Sequence, residues 1–111
     1  MKRGDLVTIA VSGDYGKPRP ALVVQDDAFA ELSAVTVLRL TSELNDWPLF
    51  RVTIEPTTEN GLRKTSQVMI DRGIALPRLK VGPVFGHVSA DDMMAVSRAL
   101  YRFLGLQGIG P

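Results

Sequence analysis

Leu6-Val7-Thr8-Ile9-Ala10-Val11 leads through Gly13-Asp14-Tyr15-Gly16-Lys17-Pro18-Arg19-Pro20 into Ala21-Leu22-Val23-Val24-Gln25. The outer runs are short, apolar and rich in β-branched residues, whereas the segment between them is dense in glycine and proline. That contrast predicts two strands, paired as neighbours and joined by a loop. Pro18 and Pro20 each hold φ at about −65°, and Pro20 pushes Arg19 toward an extended conformation, so the guanidinium at the end of the loop has a stiff mount. A fork held in this way is suited to bidentate pairing with phosphate or carboxylate; a solvated turn arginine is the other reading.

Outward from this hairpin, Asp26-Asp27-Ala28-Phe29-Ala30-Glu31-Leu32 has acids fit for a helix N-terminus but length for only a turn or two. Val35 to Leu40, Phe50 to Ile54 and Ser66 to Asp71 show strand patterning, with Asn60-Gly61 as a turn before the last of them. Val81 to Val88 reads as a final strand loosened by Gly82, Pro83 and Gly86. Ser89 can then cap a helix, with Asp92 three residues on, and Met93, Val96, Leu100 and Phe103 fall on one helical face that Gly105 ends. The predicted class is mainly β (α+β): five to seven short strands in a small, strongly twisted sheet or partly closed barrel, covered by the C-terminal helix.

The chain has 111 residues and is 45% hydrophobic, which is material for one modest core, so residues 1–111 are read as a single domain. There is no cysteine, which removes disulfides, thiolate metal sites and thiol nucleophiles and agrees with a reducing cytoplasm. No apolar run has the length of a signal peptide or membrane span, and a soluble protein is expected. Metal-ligand spacing is absent: Asp26-Asp27 and Asp91-Asp92 are adjacent pairs at helix starts, so no cofactor is expected.

The net charge of +1 conceals an uneven distribution. Acids outnumber bases over residues 1–59, whereas residues 60–80 carry Arg63, Lys64, Arg72, Arg78 and Lys80 against Asp71 alone. Such a cluster fits a nucleic acid, an acidic protein partner or plain solvation. Trp47, before Pro48, can stack on a base or plug the barrel end, and Phe29 and Tyr15 share that ambiguity. Tyr15 and Lys17 are the stronger candidates for ligand contact because they belong to the Arg19 loop.

Gly4-Asp5-Leu6-Val7, the loop ending in Arg19-Pro20-Ala21-Leu22-Val23, Leu40-Thr41-Ser42, Pro48-Leu49-Phe50-Arg51-Val52, Gly61-Leu62 and Leu104-Gly105-Leu106 occur in an order and spacing that resemble the MazF/PemK toxins along nearly the whole chain. The resemblance implies an SH3-like barrel, a homodimer, and the toxin of a type II toxin-antitoxin module that cuts single-stranded RNA at short sequences without a metal. It implies a catalytic arginine at Arg19, an active-site threonine at Thr41 followed by Ser42, and an acidic site residue at Asp71. The sequence departs from that pattern in its shorter Arg19 loop, in Arg72 and Ile74 after Asp71, and in Met69, where the PemK branch has a second arginine.

Cleavage by the RNA's own 2′-hydroxyl needs a proton acceptor, positive charge on the phosphorane and a proton for the leaving 5′-oxygen. With one histidine, His87, no paired-histidine mechanism fits within one subunit. Arg19, permanently protonated, is assigned transition-state stabilisation, with help to the leaving oxygen as a lesser role, and Thr41 and Ser42 either orient the scissile phosphate or form a simple strand-end turn. Asp71 is either the base or a salt-bridge partner of Arg19 or Arg72. Trp47, Arg63, Lys64, Arg72 and Arg78, with Tyr15 and Lys17, are the candidates for binding RNA. An antitoxin would lay an acidic, partly disordered segment over the basic groove. Two alternatives remain: a CcdB-like DNA gyrase poison, acting through the tail Gly108-Ile109-Gly110-Pro111, and an inactive binding module on the same scaffold.

Overall fold

A computed structural model describes residues 1–10 and 17–108. Its strands are β1 (Asp5–Ala10), β2 (Pro18–Val23), β3 (Ala34–Thr41), β4 (Arg51–Ile54), β5 (Ser66–Pro77) and β6 (Val81–His87), followed by the helix α1 (Ala90–Phe103). All pairings are antiparallel, in the order β4-β5-β3-β2-β1-β6. The hairpin expected at the N-terminus is β1–β2, with Leu6 opposite Leu22 and Ile9 opposite Arg19. Val11 and Tyr15 lie outside the described residues.

The central strands are apolar on both faces because both faces are covered. Leu6, Leu22, Leu38, Leu40, Val68 and Ile70 pack with Ile54 and Val96 in one cluster, under α1. The alternate residues Val7, Ile9, Ala21, Val23, Val35 and Val37 form a second cluster, joined by Ile74, Leu76 and Val81. Strands buried on both sides read as continuous apolar runs, and each fully buried valine, leucine or isoleucine contributes about 1.5–3 kcal/mol.

β5 serves both clusters by changing face midway. Leu38 pairs with Gly73 and Leu40 with Val68, so Arg39 alone faces the four residues Met69–Arg72. A bulge with three extra residues reverses the facing of everything after it, which is why Val68 and Ile70 point to one core and Ile74 and Leu76 to the other. β5 thus extends to Pro77, well beyond Asp71, where the sequence pattern ended it.

The connection that follows β4 reaches across to β6 at the other edge of the sheet. Beyond β4, the Glu59 carbonyl accepts the His87 N–H of β6 at 3.0 Å. This connection is organised by Asn60, 1% exposed, whose carboxamide accepts from Thr57 N–H and Leu62 N–H and donates to the Glu55 carbonyl. Gly61 turns the chain with φ +66°, and Gly86 lets β6 approach so closely that a Cβ there would stand 2.3 Å from the Asn60 carbonyl oxygen. His87 serves this junction through its backbone.

The helix begins as its sequence predicts: Ser89 Oγ accepts the Asp92 N–H at 3.0 Å, and Gly105 ends the segment with φ +72°. Its inner face is Met93, Val96, Ala99 and Leu100. Phe103, expected on that face, is 53% exposed because the helix end overruns the core. The Arg3 guanidinium ties the N-terminus to the helix, donating to Ser97 Oγ at 2.6 Å and to the Val24 carbonyl. No helix among the described residues is long and apolar enough to cross a membrane.

Candidate active site

Arg19 lies on β2 itself, opposite Ile9, one residue inside each of two prolines. The prolines fit a strand here because of where their missing N–H groups would point. Val24 N–H donates to Thr36 of β3 at 3.2 Å, whereas the Val23 carbonyl accepts from Gly4 on the other side. Even-numbered residues of β2 therefore turn their peptide groups toward β3. The next donor along that side would be residue 20, and proline has none to offer Leu40. The β2–β3 pairing runs from Val23↔Val37 to Ala21↔Arg39 and goes no further among the described residues. Where it ends, the sheet opens into a cavity of about 480 Å³.

Arg19, Arg39, Thr41, Ser42, Arg63 and Lys64 all line this cavity, with Pro20, Leu62, Ser66 and Met69 among its other walls. The charged residues of this lining are thus four cations and one carboxylate, Glu43. Thr41 Oγ1 accepts the Glu43 N–H at 3.1 Å. This short-range bond fixes the hydroxyl and leaves its own O–H to donate. The arrangement therefore offers arginine forks and an oriented hydroxyl to an anionic group, with an exposed carboxylate available as a proton acceptor.

The loop after Thr41 is held against the sheet by Gln67, 6% exposed and opposite Thr41 on β5. Gln67 bonds to Asn45, Thr53 and Arg51, and the Arg51 guanidinium stands 4.9 Å from the centre of the Trp47 ring. Trp47 also stacks on Phe50, with centroids 5.4 Å apart, and remains 45% exposed. It borders a neighbouring cavity of about 380 Å³ with Asn45, Arg51 and Gln67.

Three of the charged candidates stand elsewhere. Asp71 and Arg72 sit in the β5 bulge, paired with each other at 3.7 Å, and Asp71 borders a different cavity with Leu49, Phe50, Arg102 and Phe103. Neither lines the cavity that holds Thr41. Arg78 donates through Nε to the Leu32 carbonyl and lies beside Arg3, Asp26 and Asp27. Its nearness in sequence to Lys64 is undone by the length of β5. Lys17 is exposed at the start of β2, and Tyr15 is outside the described residues. Asp26 caps a short 3₁₀ turn by accepting the Ala28 N–H, and Phe29 is exposed on that turn.

Arg39 and Glu43 were missed by the sequence reading. Arg39 carried one available signal: it is the single charge within a strand whose neighbours Leu38 and Leu40 are core residues.

Known proteins share this sequence and fold. A probable endoribonuclease MazF of Mycolicibacterium smegmatis is 44% identical over 109 residues, 97% of this chain and all of that one. A mycobacterial endoribonuclease solved in complex with its cognate antitoxin superposes with a TM-score of 0.81, at 24% identity over 96% of both chains. A MazE-MazF structure from Deinococcus radiodurans gives a TM-score of 0.75 at 26% identity, over 95% of this chain and 96% of the other. Residues 2–104 carry the sequence pattern throughout, and the chain belongs to the family of PemK-like, MazF-like toxins of type II toxin-antitoxin systems.

Proposed function

We propose that this protein is the toxin of a type II module and acts as a metal-independent endoribonuclease, cutting single-stranded RNA at short sequences by attack of the 2′-hydroxyl. The observation that carries the reading is the meeting of Arg19, Thr41 and Ser42 at one open cavity ringed by further cations. Arg19 stabilises the charge that builds on the scissile phosphate, while Thr41 and Ser42 donate to its oxygens and orient it. Glu43, the carboxylate among the lining residues, takes the 2′-hydroxyl proton, and the departing 5′-oxygen is protonated from water. Arg63 and Lys64 hold the backbone of flanking nucleotides, with Lys17 and Tyr15, which precede Arg19 in the sequence, as further contacts, and Trp47 offers a ring to a base. Asp71, Arg72 and Arg78 have no part in the cleavage step.

The active species is a homodimer in the cytoplasm, where its RNA substrate is. A cognate antitoxin restrains it by laying an acidic segment over the same basic face, consistent with the related toxins solved with antitoxins bound. Family membership and the assembled cavity favour this reading over a gyrase poison, whose action would depend on a tail that includes Ile109 to Pro111, outside the described residues.

The test is incubation of the purified protein with a long mixed-sequence RNA in EDTA, beside Arg19→Ala, with the cut ends mapped. Recurrent cleavage at one short motif, lost in the variant, is the expected result. Intact RNA in the presence of folded wild-type protein would refute the nuclease.

A further inference from the structure

Arg39 has a place in the cavity that its strand dictates. Val35, Val37, Arg39 and Thr41 share one face of β3, and the first two are core residues of the second cluster. Arg39 and Thr41 continue that face beyond the end of the core, where it lines the cavity. On β2, Arg19 stands in the same relation to Ala21 and Val23. Arg39 pairs with Ala21, which places Arg19 diagonally across the point where the ladder opens, and both line the same cavity. Two guanidinium groups on long stems from neighbouring strands can close on one phosphate from two sides.

We propose that Arg39 is a second catalytic cation, gripping the scissile phosphate together with Arg19. The proposal rests on the ribonuclease reading above. In the transition state the O2′–P bond forms as the P–O5′ bond breaks, and the non-bridging oxygens carry close to two negative charges. One guanidinium leaves part of that charge to solvent in so open a cavity; two on different strands neutralise it. Arg39 keeps all its protons, supplying charge and hydrogen bonds only, while the 2′-hydroxyl proton passes to the base and the 5′-oxygen takes one from water.

Two further observations support the role. Arg39 makes no hydrogen bond or ion pair with any described residue, although it is half-buried beside three other cations. Like charges gathered with one carboxylate repel, and an anionic substrate relieves the repulsion. Its mount is also rigid: Leu38 and Leu40 are 2% and 4% exposed, and β3 lies between β2 and β5. Met69, across the bulge and lining the same cavity, brings no charge of its own, so the second cation on this wall is Arg39.

The experiment compares wild type, Arg39→Met, Arg39→Lys and a surface control, Arg98→Met, by single-turnover cleavage of an RNA oligonucleotide in EDTA. Affinity is measured in parallel for the same oligonucleotide with a single 2′-deoxy substitution at the scissile nucleotide, and each variant is melted. The expected result is a rate loss of about 10²-fold in Arg39→Met with affinity reduced less than about tenfold, partial recovery in Arg39→Lys, and no change in Arg98→Met. Arg39→Met cutting within about threefold of wild type would overturn the proposal and leave the nuclease intact. So would a rate loss matched by the loss of affinity, which marks a backbone anchor. If wild type and Arg98→Met leave the RNA whole, the ribonuclease reading fails and the role of Arg39 fails with it. Were Arg39→Met to melt early, Arg39→Lys carries the comparison, since it keeps the stem and the charge but loses the fork.

Discussion

The carboxamide of Gln67 holds the backbone of Asn45 by both ends: Nε2 donates to the Asn45 carbonyl at 2.9 Å and Oε1 accepts the Asn45 N–H at 3.1 Å. The same group accepts from Arg51 Nη1 and donates to Thr53 Oγ1, so all its bonding capacity in this buried position is used. Thr41 lies directly across the ladder from Gln67, and the loop from Ser42 to Pro48 therefore leaves the sheet with its middle clamped.

Gln67→Leu keeps the bulk and removes the clamp. Asn45 is left with an unmatched N–H and carbonyl, and Arg51, whose Nε already lacks a partner, loses its nearest acceptor. The expected cost is about 2–4 kcal/mol. A fall in melting temperature of roughly 10 °C should accompany slower RNA cleavage, because Ser42 and Glu43 ride on the released loop. A melting point unchanged to about 2 °C would show that the clamp contributes little.

How far the sequence could be read depended on whether the relevant relation was local. The β1–β2 hairpin, the Ser89 cap and the Gly105 stop each rest on a few adjacent residues, and each is present. The convergence of Arg19 with Thr41 came from a family likeness, since neither residue's neighbours reveal cross-strand register. Arg39 and Glu43 escaped notice for the same reason. The reading of Asp71, Arg72 and Arg78 as site residues shows the converse. Charges clustered along the chain are dispersed once a bulge reverses the facing of β5 and twelve residues of strand separate its ends. Pro18 and Pro20 looked like loop because the direction in which their peptide groups point is settled only by pairing.

The closure of the sheet at Glu59 and His87 depends on the absence of a side chain at position 86. Gly86→Ala would place a methyl group 2.3 Å from the Asn60 carbonyl oxygen and 2.8 Å from that of Glu59, both backbone atoms that cannot rotate aside. A loss of about 3 kcal/mol is expected in chemical denaturation. Gly105→Ala is the comparison: φ is +72° but nothing lies within 4 Å, so only the left-handed conformation is penalised, at about 1 kcal/mol. Equal losses for the two would mean that the edges of the sheet do not press together there.

Glu43→Gln addresses the proton acceptor. The substitution keeps the Glu43 N–H that bonds to Thr41 Oγ1, so the local turn survives while the carboxylate goes. The variant should cut roughly 10²-fold more slowly while binding RNA with little change. Cleavage within about threefold of wild type would assign the proton to another group.

Pro20→Val asks whether a missing N–H keeps the site open. The substitution suits a strand and places a donor where the β2–β3 ladder lacks one, aimed at the Leu40 carbonyl. A new bond would contribute about 1 kcal/mol, roughly offset by the greater freedom of the unfolded chain once the proline is gone, so the melting temperature should barely move. The amide at position 20 should become protected from hydrogen exchange as β2 zips further along β3. Zipping narrows the gap between Arg19 and Thr41 and shifts the guanidinium off its line to the phosphate. Displacements of this kind cost activity steeply, and cleavage should fall by about tenfold or more. A freely exchanging amide at position 20, with cleavage at the wild-type rate, would mean that something other than the proline holds the two strands apart.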